Sequence, residues 1–145
     1  MQKPYGNKAY HQTHIVTASK EKILLMLYEG CIRFFKKTKI AMEAKNMAEK
    51  GEMLAKAQDI VAELMNSLDH GKGGEISKQL ELLYVYIFDE STEANIANDP
   101  VRIQTCINVL ETLYDGWKGA IDQLQKQGSS AAAVPMAKKL DIRSK

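Results

Sequence analysis

From residue 19 to residue 127, apolar residues recur at alternating intervals of three and four. That is the period of an α-helix burying one face. Four such stretches follow one another, separated by short breaks. In the first, Leu24, Leu27, Cys31, Phe34, Thr38 and Ala41 form the stripe. Ser19 is its expected N-cap, since a serine oxygen accepts from free N–H groups of the first turn. Glu21 lies where the helix dipole favours an acid, and Lys36, Lys37 and Lys39 suit the opposite pole. Lys45 and Asn46 mark the turn. The second stretch runs from Met47 to Leu68, with Gly51 near its start costing about 1 kcal/mol relative to alanine. The segment Asp69-His70-Gly71-Lys72-Gly73-Gly74 then breaks the pattern, and Gly71 is the expected residue just past the helix end.

The third stretch runs from Glu75 to Ala97, with Ile76, Leu80, Leu83, Ile87 and Ala94 as its stripe. Its run Leu83 to Phe88 has high β propensity. Helical spacing continues on both sides, and no second strand is available to pair with it, so the run is read as helix. The fourth has the clearest start: Asp99 is a good N-cap and Pro100 sits at the first helical position, where its missing N–H costs nothing. Its apolar face is Ile103, Cys106, Ile107, Leu110, Leu113, Tyr114, Trp117, Ile121 and Leu124, and Gly128 ends it. Short connections make successive helices antiparallel. The expected fold is therefore all-α, an up-down four-helix bundle over residues 19–127. A flexible N-terminal arm over residues 1–18 and a flexible C-terminal tail over residues 128–145 flank it.

Composition narrows what such a bundle does. Apolar residues make up 45% and charged residues 26%, which suits a folded domain and argues against disorder. Twenty Lys and Arg against 18 Asp and Glu leave a net charge of +2, without the one-sided basic bias of nucleic-acid binders. The two cysteines lie inside apolar stripes, with no spacing that suggests zinc. No apolar run approaches the ~20 residues that span a bilayer, and no secretory leader is seen. The expected location is the cytoplasm. His11, His14 and His70 belong to no metal motif, and Gly71-Lys72-Gly73-Gly74 lacks the spacing of a phosphate loop. No cofactor, metal or catalytic residue is expected, and the chain is read as a non-enzyme.

A surplus of apolar residues is the positive clue. Met53, Leu54, Ala57, Ile60, Val61, Leu64, Met65 and Leu68 form two adjoining seams on the second helix, where a bundle needs one stripe of about 100°. Leu82, Val85 and Tyr86 lie off the main stripe of the third. Either the core is wide, or the surplus forms a groove for a partner's amphipathic segment. On the second reading the docking residues are Ala57, Ile60, Val61, Leu64, Met65, Leu68, Leu82, Val85 and Tyr86.

The ordered residues also resemble a known family. Ala9-Tyr10, Val16-Thr17-Ala18-Ser19 and Leu25-Met26-Leu27-Tyr28-Glu29-Gly30 are followed by Lys56 to Leu64 with Leu68-Asp69. Gly73-Gly74-Glu75-Ile76, Leu83-Tyr84 with Tyr86, Glu93-Ala94-Asn95 and Trp117-Lys118 complete the set. Over residues 6–125 this is similar to the flagellin-specific export chaperones, the FliS family. The resemblance implies a cytosolic chaperone that holds the disordered C-terminal segment of flagellin, prevents premature polymerisation and delivers it to the export gate of the flagellar secretion apparatus. The expected state is a monomer with 1:1 cargo, although the sequence carries no oligomer signal of its own. Tyr10 matches the family's arm tyrosine, which either contributes to gate docking or pins the arm to the bundle. Two departures stand out: Lys20 replaces the proline common after the cap serine, and Asp89-Glu90 stand where basic residues are common. Another helical adaptor that binds an amphipathic partner helix is the alternative.

Overall fold

The computed structural model describes residues 2–127, with side chains from Lys20 onward. It contains α1 (Gln2–Glu43), α2 (Met47–Asn66), α3 (His70–Ala97) and α4 (Pro100–Gln127). No strand occurs among the described residues, and the β-prone run 83–88 is helical. Helix α1 packs on α2 and α4, and α3 packs on the same two, so the four helices form a ring. This is the antiparallel bundle that short turns dictate.

Helix α1 differs from expectation at its start. Ser19 is not a cap, because the helix continues through it to Gln2. Strong helix formers such as Lys8, Ala9, Gln12 and Ala18 carry the helix on, at little cost from an interior serine. The stripe of α1 is also shifted by about one position. Tyr28, Cys31, Phe35, Thr38, Ala41 and Met42 are buried, while Leu24, Leu27 and Phe34 pack only partly against the core. Thr38 is compatible with this interior because its hydroxyl donates back to Phe34 O at 2.8 Å. In α3 the expected Leu83 is exposed, and Tyr84 takes its place in the core with Ile76, Leu80, Ile87 and Ala94.

The tyrosines explain both shifts. Tyr28 on α1 and Tyr84 on α3 meet across the bundle with their hydroxyls hydrogen-bonded, and Trp117 Nε1 on α4 donates to Tyr28 Oη at 3.1 Å. A phenol can be buried only with its hydroxyl satisfied, so each pulls its helix round until the polar ends meet. Burial raises the pKa of both, Tyr84 to about 12.

The turns rest on capping side chains. Lys45 takes a left-handed conformation (φ 57°), and Asn46 caps α2 by accepting from Glu49 N at 3.2 Å. Asp69 caps α3 by accepting from Lys72 N at 3.0 Å. Gly71 is not left-handed; the positive φ falls at Gly74 (53°), which kinks α3 after one preliminary turn. Asp99 Oδ1 accepts from Val101 N at 3.0 Å, with Pro100 opening α4 as expected. Asn98 ends α3 in the left-handed region. Its side chain donates to Met42 O at 3.3 Å and accepts from the buried Lys50 Nζ at 3.1 Å. Lys50 also donates to Asn95 O at 3.2 Å. One lysine thereby ties the α1–α2 turn to the α3–α4 turn.

Candidate docking surface

The nine candidate docking residues separate into two groups. Ala57 and Val61 have 0% of their surface exposed and Leu64 has 1%. They are core, and no partner reaches them without opening the bundle. The reason is the close approach of α1 and α2: a Cβ added at Gly30 would lie 3.3 Å from Ile60 Cδ1. With so little separation, the whole inner arc of α2 is consumed.

The border residues of α2 do not form a single second seam either. Met53 is buried, and Ile60 is half-buried against α1 at Gly30. Met65 lies two turns beyond Gln58, on the other side of the helix. That side faces α3, because Gln58 Nε2 donates to Ser91 Oγ and Thr92 Oγ1, both at 2.9 Å. Leu68 is half-buried, just past the end of α2, and packs on the core.

On α3 the surplus does face outward. Leu82 is 69% exposed, Tyr86 43% and Val85 38%. Leu82 and Tyr86 are one turn apart and project from the same face. Phe88 and Ile96, not expected from the sequence, extend the exposed apolar track along α3. Their signal was present: 85, 88, 92 and 96 follow the helical period. Opposite them, Gly51, Ala55, Ala62 and Met65 recur along the α3-facing side of α2. Gly51 and Ala55 are exposed and Ala62 is half-buried. The small residues among them, Gly51, Ala55 and Ala62, keep this side of α2 low beside the exposed apolar residues of α3, and Gln58 bridges the two helices midway. A surface of that kind suits a peptide laid lengthwise.

The flanks of α1 carry charge among their apolar residues. Between α1 and α4, Lys36 pairs with Glu111 at 3.3 Å and Tyr114 Oη donates to Glu29. That bond raises the Tyr114 pKa. Between α1 and α2, Arg33, Lys37 and Lys56 gather within 5.5–6.0 Å of the Phe34 ring centre.

The candidate chemistry is sparse. Cys31 and Cys106 are free and buried, and burial raises both thiol pKa values, Cys106 to about 12, which keeps them protonated and unreactive. Among the described residues no group of three or more His, Cys, Asp or Glu is placed to hold a metal ion, and no helix is long and apolar enough to cross a membrane. The Tyr10 side chain and residues 128–145 lie outside the described residues.

The family described as "Flagellar protein FliS" matches residues 1–124. A relative from Bacillus subtilis (strain 168), named flagellar secretion chaperone FliS, is 32% identical over 134 residues, covering 92% of this chain and 98% of its own. Proteins of the same name from Campylobacter jejuni and Vibrio cholerae are 33% and 35% identical, covering 81% and 72% of this chain and 92% and 77% of their own lengths. These relatives are named as chaperones, not as enzymes.

Proposed function

The chain belongs to the FliS family of flagellar proteins, and from that premise we propose that it is a cytoplasmic export chaperone for flagellin. On this reading it holds the C-terminal segment of newly made flagellin, keeps it from polymerising and hands it to the export gate. The observation that carries the reading is the outward apolar track of α3, Leu82, Val85 and Tyr86, beside the small-residue side of α2. A disordered client loses several kcal/mol of conformational entropy on being ordered, so a long shallow contact gives only moderate net affinity. Moderate affinity suits a chaperone, which must release what it carries.

Of the nine candidates, Ile60, Met65, Leu68, Leu82, Val85 and Tyr86 remain as cargo contacts on this reading. Ala57, Val61 and Leu64 act only by shaping the bundle beneath. Tyr10 serves gate docking or anchors the N-terminal residues to the bundle. One flagellin segment is bound per monomer.

The test is a titration of the full chain with a C-terminal flagellin fragment, followed by calorimetry. The wild type binds with 1:1 stoichiometry. The double variant Leu82→Asp, Tyr86→Asp keeps the helical circular dichroism of the parent and binds at least about tenfold more weakly, a loss of about 1.4 kcal/mol or more. Unchanged binding by the folded variant removes α3 from the cargo site.

A further inference from the structure

The outer face of α3 combines grease with unbalanced charge. Between Lys78 and Arg102 the sequence has no Lys or Arg, but it has Glu81, Asp89, Glu90 and Glu93 along α3. Glu81 is met by His70 at 3.6 Å and Glu90 by Arg102 at 3.8 Å. Asp89 and Glu93 have no ion-pair partner among the described residues. Leu82 lies two turns before Asp89, and Tyr86 two turns before Glu93, on one face of the same helix. The face therefore fits a segment carrying apolar residues next to basic ones.

The chain contains such a segment. Residues 134–145 include Val134, Met136, Leu140 and Ile142, with Lys138, Lys139, Arg143 and Lys145 against the single acid Asp141. Reach is sufficient. Cys106 Sγ donates to Ile87 O and Arg102 pairs with Glu90, which sets the antiparallel register of α4 against α3. Counting rise from that register, Gln127 lies about 24 Å along the bundle axis from Leu82 and about 35 Å from Asp89. Twelve extended residues, 128–139, span roughly 40 Å. A tail extended in this way would bring Val134 and Met136 level with Leu82 and Tyr86, and Lys138 and Lys139 level with Asp89 and Glu93.

We propose that residues 134–145 of this chain dock on the outer face of α3, with Lys138 and Lys139 opposite Asp89 and Glu93, and occupy it until cargo displaces them. The docking itself does not depend on the identity of the cargo. The competition with cargo rests on the proposed function, and separate readouts distinguish the two. A tether this short holds its end at millimolar effective concentration, enough to keep a weak contact mostly formed.

The test uses the full chain and amide NMR shifts of residues 82–93. Lys138→Glu with Lys139→Glu moves these shifts, and adding Asp89→Lys with Glu93→Lys moves them back toward the parent. Raising salt from low to high concentration reproduces the first change in the parent, because exposed pairs are screened. Shifts that ignore the lysine substitutions overturn the proposal. Shifts that depend on protein concentration also overturn it, assigning the face to a second copy. In the flagellin titration, the Lys138→Glu, Lys139→Glu variant binds about fivefold more tightly, as a site freed from a resident segment does. Equal flagellin affinity, with the NMR response present, leaves the docking in place and removes the competition.

Discussion

Helices α2 and α3 carry the same kind of apolar surplus in sequence, yet the fold disposes of the two in opposite ways. On α2 the surplus goes inward: Ala57, Val61 and Leu64 are sealed in the core. On α3 it goes outward: Leu82, Val85 and Tyr86 stand in solvent while Ser77, Tyr84 and Ser91 take interior positions. The difference is not hydrophobicity, since leucine appears in both sets. It lies in what each helix faces. Gly30 lets α1 close onto α2, so that a broad arc of α2 is covered. On α3 the Tyr84 hydroxyl must reach Tyr28, and Ser91 must meet Gln58. These polar obligations fix the rotation of α3 and turn Leu82 and Leu83 away from the core.

The largest test of this contrast places one acid on each helix. Val61→Asp buries an unpaired carboxylate and costs more than ~4 kcal/mol, enough to abolish cooperative thermal unfolding in a circular dichroism melt. Leu82→Asp changes stability by no more than about 0.5 kcal/mol in the same melt. Comparable losses at the two sites would show that α3 is not a free face.

Next in size is the polar anchor that sets the rotation. Tyr28→Phe leaves the Trp117 N–H without its acceptor and Tyr84 without its hydroxyl partner, at a cost of about 1–3 kcal/mol by urea denaturation. Leu83 amide exchange also rises if the rotation of α3 relaxes. Lys50→Met removes the donor shared by Asn95 O and Asn98 Oδ1 and costs about 1–2 kcal/mol in the same assay.

An effect of similar size, gated by pH, appears with alkali. The folded-state pKa of Tyr84 stands at about 12 against a reference of 10.0. The native state thus favours the protonated phenol, and the linked stability is whole below pH 10 and lost as pH rises towards 12. Stability falls through that window by up to about 1.4 kcal/mol per pH unit for this group. Tyr84→Phe flattens that slope in urea titrations at stepped pH. The smallest change comes at the surface: Tyr114→Phe removes an exposed bond to Glu29 and leaves the unfolding midpoint unmoved.

These contrasts also mark what the sequence could convey. The helices, the Asp99-Pro100 start and the Lys45-Asn46 turn were legible because each rests on local chemistry: period, capping oxygen, missing N–H. The outward placement of Leu82, Val85 and Tyr86 was legible for the same reason, since they fall off the period of α3. The one-position shift of α1 was not, because it depends on Tyr28 finding Tyr84 and Trp117, which are 56 and 89 residues away. The seam of Leu54, Ala57, Val61 and Leu64 was legible as core from the period of α2, but that Ala57, Val61 and Leu64 are covered too fully to meet a partner as well was not, since the close approach at Gly30 belongs to another helix. The Gly74 kink was not foreseen: the left-handed residue was expected at Gly71, past the end of α2, because three nearby glycines offer the same freedom and only the Asp69 cap decides which one uses it.

Lys50 leaves the two ends of the bundle unequal. Where it sits, the ends of α1, α2 and α3 are cross-braced through one ammonium and one asparagine, so that end behaves as a rivet. At the opposite end α2 and α3 are joined by contacts local to one turn: the Asp69 cap, the Ser77 hydroxyl donating to Asp69 O at 3.0 Å, and the bent glycine. If the helices breathe, they breathe from there, like a hinge-pinned fan, and a client fed in from that side would meet the part of the scaffold that gives way first.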